Sequence, residues 1–352
     1  MKNLYKITTA IFLVALIVLP FQYSFGGNKD RSGQAGATEL LINPWAKTSG
    51  WGSAGSATVT GLEAIYGNVG GLALTQGLDV GLTYTKYLSF ADVDIYSFGL
   101  SSKVGESGAF GMSIMSMNFG TLDRTTTTLP DEGGGTFNPT LMNINLAYAR
   151  SFSSSIHGGF VLKVISESVA DASAVGVAID AGIQYITGEN DNIKLGVALK
   201  NIGTPMRFSG DGLSLKSILP GQANTFKTEW RSEKFELPAQ LNIGLGYDFL
   251  LGDASRFTLA GTFVSNSFTY DQYILGGEFS LRDLVVLRAG YTYEDNMYDE
   301  YESLTLHKGF SGGFSVQVPL DKEEGTHIGI DYSFQATHSF DGIHRLGVRL
   351  TL

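Results

Sequence analysis

The residues that could do chemistry in this chain are few and badly spaced for it. Five histidines, His157, His307, His327, His338 and His344, are scattered along 352 residues, and none forms an H-E-x-x-H pair that would set two imidazoles on one helical face for zinc. With no cysteine there is no thiol nucleophile and no thiolate ligand. No Walker loop and no G-x-S-x-G elbow occurs. The acidic run "EDNMYDEYES", Glu294 to Ser303, lacks EF-hand spacing. It reads as a solvated loop, with calcium as the weaker alternative. "DEGGG", Asp131 to Gly135, reads as a linker and not as a phosphate cradle, because no strand leads into it and no helix follows closely. The expectation is a protein that is not an enzyme and uses no cofactor and no metal.

The more informative charges stand singly inside apolar strands. Lys163, Glu167, Asp180, Lys194, Lys200, Asp248, Glu278, Arg288, Asp331, Arg345 and Arg349 fall on the small, polar side of segments that alternate with period two. In "LNIGLGYDF", Leu241, Ile243, Leu245, Tyr247 and Phe249 share one face, and Asn242, Gly244, Gly246 and Asp248 the other. "VGVAIDAGIQY", "FSGGFSVQV" and "VVLRAGYTY" repeat the pattern. Such alternation over about ten residues describes a strand with one apolar face. In a transmembrane barrel that face meets lipid and the small, polar face meets the lumen. The charges of both signs then predict either a salt-bridged, water-filled interior or a charged transport path.

Fourteen such segments are centred near Leu82, Phe98, Ile114, Leu146, Leu162, Ile179, Val197, Leu245, Leu259, Leu275, Leu287, Phe314, Ile330 and Val348. The three long connections, Gly120 to Pro139, Ile202 to Pro238 and Glu294 to Lys308, follow the third, seventh and eleventh. They therefore emerge at one end, while the turns at the other end are short, as in an outer-membrane barrel with its long loops outside. The fold class is all-β, an antiparallel transmembrane barrel of about 14 strands. A soluble sandwich or lipocalin-like barrel is the alternative, but it would bury the apolar face inside. Fourteen strands close at roughly 28 Å diameter, wide enough to leak unless the lumen is filled.

Composition agrees. The chain has 45 glycines, 22 phenylalanines and 16 tyrosines, but only 16% charged residues, against about 25% in soluble domains. The net charge of −10 argues against nucleic acid as a partner. Residues 1–27 read as a signal peptide: Lys2 and Lys6, an apolar core from Ala10 to Leu19 too short to span a bilayer, then Ser24 and Gly26 near a cleavage site. Residues 28–78 precede the first strand and predict a plug or a collar, and 79–352 form the barrel. Within the plug segment, Thr60 and Glu63 have capping-box spacing, and Gly67 and Asn68 suit a left-handed stop.

The stretch "AKTSGWGSAGSATVTGLEAIYGNVGGLA" resembles the N-terminal signature of the PorV/PorQ family of outer-membrane proteins, relatives of the FadL-type transporters. Ala46, Gly50, Gly52, Ala54, Gly61, Glu63, Ala64, Asn68, Gly71, Leu72 and Ala73 match it, while Lys47, Val69 and Gly70 depart from it. The resemblance implies a place in the outer membrane of a Gram-negative bacterium and a role in type IX protein secretion. Such members bind the translocon, accept the signal domain of a secreted protein and deliver it to a surface complex. FadL-like members instead pass a hydrophobic compound through the barrel and an opening in its wall, and a structural outer-membrane role is a third reading. The expected partners are outer-membrane lipid, a translocon or surface-complex protein, and secreted proteins. For these the longest loop offers Met206, Phe208, Leu213, Leu215, Ile218, Leu219, Phe226 and Trp230, with "LSLKSIL" loosely helical in spacing.

Overall fold

The computed structural model describes residues 27–125, 134–218, 225–252, 254–321 and 326–352. Residues 1–26, all but the last of the stretch 1–27 that reads as a signal peptide, lie outside them. So do Leu219 and most of the run 131–135.

Alternation becomes a closed antiparallel barrel. In chain order its strands are β1 (Leu78–Leu88), β2 (Val93–Val104), β3 (Gly108–Asn118), β6 (Thr140–Ser151), β7 (Ile156–Val169), β8 (Ala172–Thr187) and β9 (Ile193–Gly203). Then come β12 (Gln240–Leu250), β13 (Ser255–Asn266), β14 (Gln272–Leu281), β15 (Val285–Glu294), β16 (His307–Asp321), β17 (Thr326–Thr337) and β18 (Ile343–Thr351). Each of the fourteen expected centres lies inside one of these strands. The sheet closes through β1 and β18, with Leu82 opposite Val348, so no edge is left unpaired. The connections after β3, β9 and β15 are the long ones and leave at one end.

Period two sorts the side chains. Leu82, Val175, Leu245, Leu275 and Leu287 are more than half exposed on the outer face, where an aqueous surface would not keep them. On the inner face Asp180, Lys163, Arg288 and Ser315 are buried.

Two small hairpins stand on the long loops: β4 (Leu122–Asp123) with β5 (Thr136–Phe137), and β10 (Ser214–Ile218) with β11 (Thr225–Glu229). The second corrects the helical reading of "LSLKSIL". Ser214 to Ile218 pairs with Thr225 to Glu229, Ser214 opposite Glu229, Leu215 opposite Thr228 and Ile218 opposite Thr225, while Leu213 closes the 3-10 turn Asp211–Leu213 before the strand. Leu213, Leu215 and Ile218 match neither period cleanly, and cross-strand pairing decides the conformation of 214–218.

Candidate functional site

The lumen is filled by residues 27–77, and their path defines the site. Asn28 donates its amide to the Asn266 carbonyl (3.3 Å), and Arg31 pairs with Glu236 (2.8 Å), both at the long-loop end. A strap then descends through the turn Thr38–Leu41. Short helical turns follow at Ala46–Ser49, Gly61–Gly67 and Val69–Leu74, and the chain leaves at the short-turn end, where Leu78 pairs with Leu352. The N-terminal segment is thus threaded along the whole barrel.

What seats it is the inner face of the wall. Leu62 lies on Gly81 and Gly99, Ala57 on Gly196 and Gly244, Trp51 on Gly276 and Gly290, and Gly50 on Gly313. A Cβ on Gly276 would stand 2.8 Å from that of Ala54, and one on Gly290 would run into the Trp51 backbone. Glycine is needed here so that two backbones can approach.

The signature residues build this plug. Ala54, Ala64 and Leu72 are fully buried, with Ala73 packed against the Leu72 cluster. Gly52 and Gly61 hold positive φ of 70° and 67°. Asn68 donates through its side-chain amide to the Ser56 carbonyl (2.9 Å) and the Ile183 carbonyl (3.0 Å), pinning plug to wall, while its oxygen accepts from the Gly70 amide (3.1 Å). A Cβ on Gly71 would collide with the Val59 carbonyl.

Two local expectations fail here. Thr60 makes no capping bond, because the turn it precedes is a three-residue 3-10 turn entered through Gly61 in the left-handed region. Glu63 does not reach back to it but accepts the Thr48 amide at 2.9 Å, so a partner fifteen residues away replaces the local one. Nor is the stop at Asn68 left-handed: its φ of −157° is extended, and the chain turns through the Asn68 side chain instead.

Below the plug, toward the short turns, a cavity of about 150 Å³ is bordered by Lys47, Glu63, Lys194, Arg256, Glu278 and Arg288. Most of the charges here pair: Lys194 with Asp248 at 2.7 Å, Arg288 with Glu278 at 2.7 Å, Arg256 with Glu278 at 3.7 Å and Arg349 with Asp331 at 3.7 Å, while Lys47 and Glu63 form no ion pair within 4.0 Å among the described residues. In the wall beside the plug Lys163 pairs with Asp180 at 2.6 Å. Both bond to Asn201, whose φ of +59° marks a bulge in β9.

Above the plug a larger cavity, about 470 Å³, opens toward the long loops. One side is apolar, with Ile42, Met117, Phe119 and Leu141. The rest carries charge that is not paired. Lys200 and Arg345 are buried, yet neither has a carboxylate within 4.0 Å among the described residues. Lys200 rests on the Tyr66 ring, Nζ 3.7 Å from its centre, and Arg345 donates to the Asn43 carbonyl at 3.2 Å. Both carboxylate oxygens of buried Glu39 lack a hydrogen-bond partner, as does Oε1 of Glu294. Burial, with Glu167 adding to it, pushes the Glu39 carboxyl up to about 7, against the pull of its own backbone amide.

The loop residues divide. Met206 is buried against Ala37, Leu40 and Ile165, and Phe208 packs there with Phe235, so this part of the loop clamps the strap. Leu213 is half-buried at the foot of the hairpin, Ile218 ends its first strand, and Leu215, Phe226 and Trp230 are exposed. Sequence reasoning missed Glu39, Glu294, Asn43 and Tyr66. The first, third and fourth belong to the plug, whose path no periodicity encodes. In the sequence Glu294 stands out only as the start of the acidic loop.

No protein-family model matches the chain, and no curated protein matches it by sequence. Among solved structures it is similar in fold to the toluene transporter TodX of Pseudomonas putida, with TM-score 0.54 and 12% identity over 88% of this chain and 97% of that one. The toluene transporter TbuX of Ralstonia pickettii gives TM-score 0.53 and 12% identity over the same shares. The monoaromatic hydrocarbon channel CymD gives TM-score 0.52 and 14% identity, again over 88% and 97%. At these identities the likeness is one of fold.

Proposed function

We propose that this chain is an outer-membrane uptake channel of the FadL-like kind for small molecules with a hydrophobic part, closed at rest by its N-terminal plug. In this reading residues 1–27 are a removed leader and the long loops face outward. The supporting observation is a plug seated between two cavities, the outer one apolar on one side, in a closed barrel with an apolar outer face. The solved structures of similar fold carry the titles of hydrocarbon channels and transporters, which favours the same class. The role in protein secretion rests on the signature, and those residues are spent on seating the plug. For a protein partner, the exposed Leu215, Phe226 and Trp230 offer the surface.

A plug that must move can be locked. A Cβ on Gly347 would stand 3.2 Å from that of Ala46, and the chain has no cysteine of its own, so Ala46→Cys with Gly347→Cys gives a clean cross-link between plug and wall. In cells making the reduced double variant, N-phenylnaphthylamine, a hydrophobic dye that an intact outer leaflet excludes, should enter fast. Oxidation should slow it to the rate of cells lacking the barrel, and reductant should restore it. Entry at the same rate with the plug locked would overturn the channel reading.

A further inference from the structure

The charges of the outer cavity are arranged for a ligand that carries both signs. Four buried ionisable side chains border it, two basic and two acidic, and no two of them pair with each other. Below the plug two such pairs, Lys194 with Asp248 and Arg288 with Glu278, neutralise one another at 2.7 Å, and Lys47 and Glu63 stand outside them. An ionised group left alone in a buried site is costly, and the cost falls when a counter-charge arrives. The two poles are also tied to one short piece of chain. Glu39 lies on the strap. Arg345 is bonded to the Asn43 carbonyl, and Lys200 covers the ring of Tyr66, whose hydroxyl donates to the Leu41 carbonyl at 2.7 Å. Asn43 is four chain steps beyond Glu39, a distance of no more than about 14 Å. Between them Ile42, with Met117, Phe119 and Leu141, supplies the apolar side.

We infer that the outer cavity binds an apolar zwitterion, a hydrophobic amino acid or short peptide with both ends free. Its carboxylate meets Arg345 and Lys200, its ammonium meets Glu39, with Glu294 as the second acceptor, and its side chains lie on the apolar side. The volume, about 470 Å³, is within the ordinary range of small-ligand pockets. This deepens the channel reading and rests on it. A pure hydrocarbon would leave every one of these groups unanswered, and a simple carboxylate would leave Glu39 so.

The test is calorimetric titration of the full chain, purified in detergent, with leucyl-leucine. Its N-acetylated form, its C-amidated form, octanoate and toluene are the comparisons. The free dipeptide should bind at least tenfold more tightly than either blocked form. Glu39→Gln should abolish the preference for a free amine, and Arg345→Gln the preference for a free carboxylate. Heat-modifiable gel migration would verify that each variant is folded, and Glu294→Gln, away from the strap, should weaken amine preference by a smaller factor. Equal binding of free and blocked dipeptides would overturn the inference. Binding of octanoate or toluene alone would also overturn it while leaving the channel reading intact. No binding of any of the five, with dye entry still controlled by the plug lock, would sink this inference and not that reading.

Discussion

The two sides of the plug differ in how much of their charge is paired: below it only Lys47 and Glu63 lack an ion-pair partner among the described residues, above it all four buried charges do. Toward the short turns Arg288 is held by Glu278 and by the Ser315 hydroxyl at 2.6 Å, and Ser315 in turn bonds Asp331. Toward the long loops Arg345, just as buried, leans on a backbone carbonyl and a side-chain amide oxygen. A buried ion pair is close to neutral for stability when complete and costly when halved. An unpaired buried charge is a liability from the start, and such groups concentrate where a protein binds something. The lower set therefore reads as scaffold and the upper set as site.

The largest effect that could break this comparison is on the lower side. Arg288→Ala should destabilise the barrel by about 3 kcal/mol, because buried Arg288 is lost from the half-buried Glu278, which keeps only Arg256, 3.7 Å away, as an ion-pair partner. Chemical denaturation of the detergent-purified protein would measure it. A loss below about 1 kcal/mol would mean that the lower charges are not structural pairs.

The next effect belongs to Glu39. Its folded-state value of about 7 lies above the unfolded 4.5, so the folded protein holds the proton more tightly. Stability is then greatest below pH 4.5 and falls as the pH rises to about 7, by about 3 kcal/mol in all. Unfolding of wild type and Glu39→Gln between pH 4.5 and 8 would reveal it as a slope present in the first and absent in the second. A cation at this carboxylate would draw its proton off, so the affinity for a free amine should rise over the same interval.

A smaller effect is expected from Arg345→Gln. With no carboxylate left behind, the change should stay within about 1 kcal/mol and could stabilise the fold, as losses at binding sites often do. A loss as large as that of Arg288→Ala in the same denaturation series would erase the distinction between the two sides.

The smallest effect concerns the outer hairpin. Trp230 donates its amide to the Leu213 carbonyl at 2.8 Å, so removing Ser214 to Glu229 joins two residues already in contact. Folding should change by no more than about 0.5 kcal/mol, since nothing in the core is touched. Any protein partner captured from outer membranes should be lost. Unchanged co-purification would move the partner surface elsewhere.

The wall was legible because lipid and lumen read alternate residues. Leu245 and Gly244 differ in environment for a reason local to the strand, and a period of two records it without knowledge of the neighbours. Loop parity added direction, since each strand reverses the chain. Capping at Thr60 was misread for the converse reason. The spacing to Glu63 was correct for a local bond, but the Thr48 amide came within 2.9 Å from across the plug. Asn68 could be marked by its place in the signature, but not as the residue that bonds to β8.

By itself, then, the sequence determined the number of strands, their inward and outward faces, the end that bears the long loops, and that a segment of some fifty residues stood ready before the first strand. These follow from period, length and parity, which are properties of neighbouring residues. Only the tertiary structure decided that the wall glycines receive the plug backbone, that Met206 clamps the strap while Trp230 faces out, and that Lys163 finds Asp180 while Arg345 finds no carboxylate among the described residues. Those outcomes depend on which atoms meet after the barrel closes around a threaded chain: residues 37–43 reach Ile165 and Arg345, and Tyr66 reaches Lys200, only through that closure.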